Sequence, residues 1–340
     1  MPFNYFIKCC LLFFFLNFPP TTFNTRRIQH VRDSFAKGAD VSWITEMEDG
    51  GRKFYNKNGH QEDIFKILKG LGMNTVRFRI WVNPVNKYNS IKDVISKCNR
   101  AKAAGMRIMI DLHYSDSWAD PGKQTIPAGW AGQNFSTLKT TLSNYTSATM
   151  NTLLQSKITP EWVQIGNETN DGMLWPVGKA SVNMSHFAQL VQAGSEAVKS
   201  VFPSAKIIIH LSNGYDHTMY RWMFDSLMAN HVHWDVIGMS LYPSPPTWQT
   251  LNEQCLSNMR DMIQRYGKEV MVVECGMKWD QPLIAKRFLS DLIYKVKSLP
   301  KQKGLGVLYW EPESYNHWKG YKLGAFNDSG KPTKALDAFK

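Results

Sequence analysis

At 340 residues with 43% apolar side chains, the chain can fill a full-size core and falls in the size range of a single (β/α)8 barrel. Its 40 Lys and Arg against 28 Asp and Glu give a formal charge of +12. The basic residues are scattered, with no run longer than a pair such as Arg26-Arg27 and no nucleic-acid motif, which argues against nucleic acid as the ligand.

The first 22 residues depart from globular character. Lys8 precedes a mostly apolar run from Cys9 to Phe18, too short to span a bilayer and suited to the apolar region of a signal peptide. A buried N-terminal helix or an uncleaved anchor is the alternative. No clean small-x-small site follows, so cleavage is placed between residues 18 and 30, and export is expected. Losing Cys9 and Cys10 with the leader leaves Cys98, Cys255 and Cys275. That odd set has no metal-ligand spacing and reads as buried thiols, with one disulfide left open.

From residue 36 to 340 a strand followed by a helical stretch recurs eight times. The predicted strands are Ala39–Trp43, Thr75–Ile80, Arg107–Leu112, Trp162–Asn167, Lys206–His210, Val236–Leu241, Glu269–Val273 and Gly306–Trp310. Between them lie amphipathic stretches at Gln61–Lys69, Ile91–Ala104, Leu138–Ser156, Ser185–Val201, Thr218–Met228, Leu251–Arg265 and Ile284–Ser298. Gly105, Gly267 and Gly304 fall just past helical stretches, as C-cap glycines do. Strict alternation predicts an α/β fold with a parallel sheet under helices, and eight units predict closure into a single-domain TIM barrel. The rival is an open doubly wound sheet, which would normally carry a GxGxxG phosphate loop after an early strand; the chain has none.

A barrel of this kind builds its site at the carboxyl ends of its strands. Those ends read Asp40, Ser42 and Trp43; Arg77, Arg79 and Trp81; His113, Tyr114, Asp116 and Trp118; Asn167 and Glu168; His210, Ser212 and Asn213; Ser240 and Tyr242; Glu274; and Tyr309, Trp310 and Glu311. Two of them stand out. Glu168 closes the apolar run that begins at Trp162, and Glu274 closes Val270-Met271-Val272-Val273. A carboxylate at the lip of an apolar strand is costly unless the site uses it. Two carboxylates facing across a cleft are the apparatus of glycoside cleavage. Trp118, Trp279, Trp310 and Trp318 offer rings on which the apolar faces of sugars can stack, each being as readily a core residue.

The segments Lys37-Gly38-Ala39-Asp40-Val41-Ser42-Trp43, Asn74 to Pro84, and His113-Tyr114-Ser115-Asp116-Ser117-Trp118-Ala119-Asp120-Pro121-Gly122 carry a specific resemblance. So do Pro127-Ala128-Gly129-Trp130, Ile165-Gly166-Asn167-Glu168, Leu174-Trp175-Pro176, Val273-Glu274 and Tyr309-Trp310-Glu311-Pro312. Together they resemble the endo-β-1,4-galactanases of glycoside hydrolase family 53, retaining barrels of clan A, from about residue 36 onward. The resemblance implies hydrolysis of β-1,4-galactan side chains of pectin, towards whose acidic polymers a basic surface would favour approach. It implies Glu168 as general acid/base and Glu274 as nucleophile, held ionised by Arg77 and steadied by Tyr242. Asn167 would bond the sugar 2-hydroxyl, with His113, Asp116, Trp118, Asn213 and Trp310 contacting substrate. The implied protein is a monomer without metal or organic cofactor. The calcium site of some relatives is not carried over, because the segments after Glu274 and Glu311 are short. Ser212 departs from the family, where aspartate is common. The alternatives are another clan A glycanase (a mannanase or xylanase), a non-catalytic glycan-binding barrel, and a metal-dependent hydrolase.

Overall fold

The computed structural model describes residues 1–3 and 35–340. Residues 4–34, which hold the apolar run of the expected leader and its cleavage region, lie outside the described residues. Among the described residues no helix is long and apolar enough to cross a membrane.

Eight strands form one closed barrel, each hydrogen-bonded to the next in chain order: β1 (Ala36–Asp40), β2 (Thr75–Ile80), β3 (Arg107–Leu112), β4 (Trp162–Ile165), β5 (Lys206–Leu211), β6 (Val236–Leu241), β7 (Glu269–Cys275) and β8 (Gly304–Trp310). All eight pairings are parallel, and β8 closes on β1 with Asp40 opposite Trp310. Around them run α1 (Ile44–Asp49), α2 (Ile64–Gly70), α3 (Ile91–Ala103), α4 (Phe135–Gln155), α5 (Met184–Val201), α6 (His217–Ala229), α7 (Trp248–Tyr266) and α8 (Pro282–Lys297). This is the expected (β/α)8 TIM barrel.

Local signals explain the helix ends. Ser90 caps α3 by accepting from the Asp93 N–H, while Asp93 reaches back to the Asn89 N–H. Gly267, at φ 64°, closes α7 in the left-handed conformation, and Pro282 opens α8 where its missing N–H costs nothing. Gly304 is different. It begins β8 rather than capping a helix, and a side chain there would strike the Val296 carbonyl. The first strand also differs: it spans Ala36–Asp40 rather than Ala39–Trp43. The apolar alternation of Ala39, Val41 and Trp43 continues past the last sheet pairing, while the chain is already turning into α1.

Side chains alternate in and out along each strand, so the barrel interior can be read in steps of two. Towards the amino ends, Ala36, Met109, Trp162, Ile208, Val236, Met271, Val273 and Leu308 make an apolar plug. Two residues further on, Asp111, Gln164 and His210 are fully buried beside Arg77, and the interior has become polar. The carboxyl-terminal end of the barrel thus rests on an apolar base. Cys98, Cys255 and Cys275 are buried free thiols, which answers the disulfide left open. Burial pushes the thiols of Cys98 and Cys255 up to about 12 and keeps them inert.

Candidate active site

The strand ends deliver Glu168 and Glu274 to one cleft of about 480 Å³ at the carboxyl-terminal face of the barrel. After β4 the chain turns sharply at Gly166 (φ 77°), where a side chain would collide with Thr169 and Met173. Glu168 itself takes φ 44°, an uncommon conformation for a residue with a side chain. On the other wall, a register shift between Met239 and Ser240 in the β6–β7 pairing sets Ser240 opposite Glu274. Oxygens of the Glu168 and Glu274 carboxylates lie within 4.8 Å of one another.

The two carboxylates have unlike surroundings. Arg77 Nη1 lies 2.9 Å from Glu274 Oε1, and the Tyr242 hydroxyl donates to Glu274 Oε2 at 2.9 Å. Arg77 also pairs with Asp40 at 2.7 Å and Asp111 at 2.9 Å, and donates to Asn167 Oδ1 at 2.8 Å. Burial opposes the guanidinium charge, but Asp111, Glu274 and Asp40 outweigh it and raise its pKa. Glu168 has a neutral donor instead: the Ser240 hydroxyl, 2.7 Å from Oε1. Burial first, and the Glu274 charge next, push its carboxyl up to about 8. Burial raises Glu274 as well, against the pull of Arg77 and the Tyr242 hydrogen bond. When the pair holds one proton, it therefore sits on Glu168. A protonated acid can donate a proton while the ionised, cation-paired carboxylate beside it attacks a carbon.

Glu168, His210 and Glu274 each offer one atom of a conceivable metal site, all within 4.8 Å. However, Arg77 already neutralises Glu274, and both ring nitrogens of His210 face polar neighbours, Ser240 at 2.7 Å and the Glu168 N–H at 3.3 Å. The arrangement favours a proton over a second cation.

A sequence model of glycosyl hydrolase family 53 matches residues 36–339. The chain belongs to that family. Among its relatives, an arabinogalactan endo-β-1,4-galactanase of Thermothelomyces thermophilus is 33% identical over 336 residues, covering 89% of this chain and 98% of the relative. A probable arabinogalactan endo-β-1,4-galactanase A of Aspergillus niger is 36% identical over 297 residues, covering 81% and 84%. A solved fungal β-1,4-galactanase superposes with a TM-score of 0.83 at 32% identity, covering 89% of this chain and 98% of that one.

Within this family 53 barrel, the cleft is lined by His113, Trp118, Asn167, Asn213, Tyr242 and Trp310 of the expected set, together with the two glutamates. Arg77 lies beneath the cleft, 1% exposed. Asp116 is placed otherwise: its carboxylate accepts the backbone N–H groups of Asn83 and Ala128 at 2.9 and 2.8 Å, and it does not line the cleft. It tethers loops rather than facing a ligand. Trp279 packs edge-on against His317 away from the carboxylates, and Trp318 packs on the core beside Arg52. Ser212 lines the cleft and exchanges hydrogen bonds with Asn170. The cleft residues not anticipated include Asp120, Tyr215 and Tyr321. The buried Asp111 and Gln164 were likewise not anticipated, although strand alternation places both on the face that carries Arg77.

Proposed function

We propose that this family 53 hydrolase is an exported, monomeric endo-β-1,4-galactanase that works by double displacement, with Glu168 as acid/base and Glu274 as nucleophile. The observation that carries the reading is the pair itself. Retaining enzymes place their carboxyl groups about 5 to 5.5 Å apart, too close to seat a water between nucleophile and sugar. A separation within 4.8 Å between oxygens fits that class and not the wider spacing of inverting enzymes. The galactan substrate is supported by the names of the relatives.

In the first step Glu274 would attack the anomeric carbon while the bond to the glycosidic oxygen breaks. Glu168 passes its proton to that departing oxygen. In the second step water attacks the glycosyl ester, its proton goes to Glu168, and Glu274 leaves as a carboxylate. Esterification removes the Glu274 charge, so the carboxyl of Glu168 falls and the same residue can serve as base. Asn167, held by Arg77 and by its own donation to the Ala119 carbonyl at 2.8 Å, would meet the sugar 2-hydroxyl. Trp118 and Trp310 supply stacking walls. Neither step needs a metal or an organic cofactor.

The test is reducing-sugar release from linear β-1,4-galactan by the wild type and by Glu274→Gln, with the anomer of the first product read by proton NMR. Activity that vanishes in the variant and yields the β-anomer first is the expected result. An α-anomer first, or equal activity on mannan or xylan, would overturn the reading. N-terminal sequencing of the secreted protein tests export, with a mature start between residues 18 and 30 expected.

A further inference from the structure

Behind Glu168 the chain closes a ring of hydrogen bonds on itself. The Glu168 backbone N–H donates to His210 Nδ1 at 3.3 Å. The opposite ring nitrogen, Nε2, lies 2.7 Å from Ser240 Oγ. The Ser240 hydroxyl in turn donates to Glu168 Oε1 at 2.7 Å. The circuit leaves residue 168 through its backbone and returns through its side chain. His210 and Ser240 are 0% and 1% exposed, and neither lines the cleft, so neither reaches substrate.

The direction of donation around the ring follows from what surrounds Nδ1. Two donors face it, the Glu168 N–H and the Gln164 side-chain amide at 3.0 Å. The neighbouring Asn167 Oδ1, at 3.0 Å, already accepts from Arg77 at 2.8 Å, and the Asn167 amide nitrogen gives one of its two protons to Ala119. Burial and the nearby Arg77 charge keep the imidazole neutral, with a single N–H. With Nδ1 accepting, that N–H sits on Nε2 and points at Ser240 Oγ. Ser240 then has only its own proton to give, and Glu168 Oε1 receives it. A protonated carboxyl whose Oε1 is an acceptor carries its proton on Oε2.

We propose that Ser240 and His210 are positioning residues that choose the oxygen of Glu168 that carries the transferable proton, reserving Oε2 for the glycosidic oxygen. The proposal rests on the reading of Glu168 as the acid. The same polarity serves the second step, where the Ser240 donor steadies the ionised Glu168. The charged and titratable groups around the ring include Glu274 on β7, Arg77 on β2, Asp120 in the loop after β3, His113 just past β3, Tyr242 just past β6 and Tyr220 on α6.

The experiment compares wild type, Ser240→Ala and Ser240→Thr as full chains on linear galactan and on a dinitrophenyl β-galactobioside, whose leaving group needs no proton. With Ser240→Ala, kcat on galactan should fall roughly 3- to 30-fold, a part of the 10²- to 10⁴-fold that acid catalysis supplies, while KM holds. On the aryl glycoside kcat/KM should change less than about threefold. The alkaline limb of the galactan profile should move to higher pH, because the lost donor favoured the carboxylate, and Ser240→Thr should restore it. Equal losses on both substrates with unmoved limbs would overturn the proposal. So would nitrogen NMR showing the His210 proton on Nδ1 in the resting wild type, a result that does not depend on catalysis. A wild type inactive on both substrates would instead sink the galactanase reading on which the proposal rests, leaving the NMR readout to decide the ring.

Discussion

Replacing Glu274 by Gln reproduces in the resting protein the loss of charge that glycosylation brings to that residue. The carboxyl of Glu168 stands at about 8, first through burial and next through the Glu274 charge. With oxygens within 4.8 Å, the repulsion at an effective dielectric of about 20 is on the order of 3 kcal/mol, or about 2.5 pH units. Arg77, 2.9 Å from Glu274, pulls on Glu168 in both proteins, so its contribution largely cancels from the difference. The net expectation is a fall of roughly 2 pH units for Glu168, with the burial contribution left in place. The assay is a carbon NMR titration of protein labelled at glutamate carboxyls, with Glu168→Gln identifying the signal. A midpoint that stays near 8 in Glu274→Gln would refute the reasoning, because burial alone would then account for the raised value and no switch from acid to base would follow.

Glu274→Ala should lose hydrolysis by about 10⁴-fold or more while still binding galacto-oligosaccharide, read by kinetics and by calorimetry; retained turnover excludes it as nucleophile. Glu168→Ala should lose far more activity on galactan than on the dinitrophenyl glycoside, and equal losses would remove it as the acid. Glu168→Gln should be more heat-stable than wild type at pH 8, on the order of 2 kcal/mol after allowing for partial exposure, and the advantage should fade towards pH 4.5. The sign follows from the raised carboxyl: the folded protein holds a proton up to about 8 that the unfolded chain releases near 4.5, so wild-type stability falls across that window. A chelator should leave galactan hydrolysis unchanged; its abolition would overturn the metal-free reading.

The barrel was legible because its signals are local. Thr75–Ile80 alternates polar residues with Val76, Phe78 and Ile80, Val236–Leu241 is a short, largely apolar run, and both strands fall where predicted. The first strand starts three residues earlier than expected because apolar alternation continues into Trp43, and its register is set by long-range pairing, with Asp40 opposite Arg77 on β2 and Trp310 on β8. The two glutamates were legible because each ends an apolar run. Asp116 was misplaced because a sequence does not say which way a loop carboxylate turns, and here two backbone N–H groups claim it. The Ser240–His210 ring was hidden for a related reason. Its members were visible at strand ends, but their contacts join residues up to 72 positions apart, across three strand ends.

The two arginines of β2 show how one alternation serves two tasks. Arg77 and Arg79 point the same way into the barrel, and both are 1% exposed. Isolated, either charge would cost several kcal/mol to bury. Arg77 meets three carboxylates and thereby fixes Glu274 and Asn167 in one frame. Arg79 pairs with Glu311 at 2.6 Å and lies 4.2 Å from the ring of Trp118, with Trp43, Trp81 and Trp310 within 5.9 Å. A cation against the face of an indole is attracted by its electron-rich ring, so Arg79 holds the tryptophan walls of the cleft while Arg77 holds its carboxylates. The chemistry and the stacking surface are therefore anchored two residues apart on the same strand. A shift of β2 by one residue would turn both arginines outward and dismantle the two together.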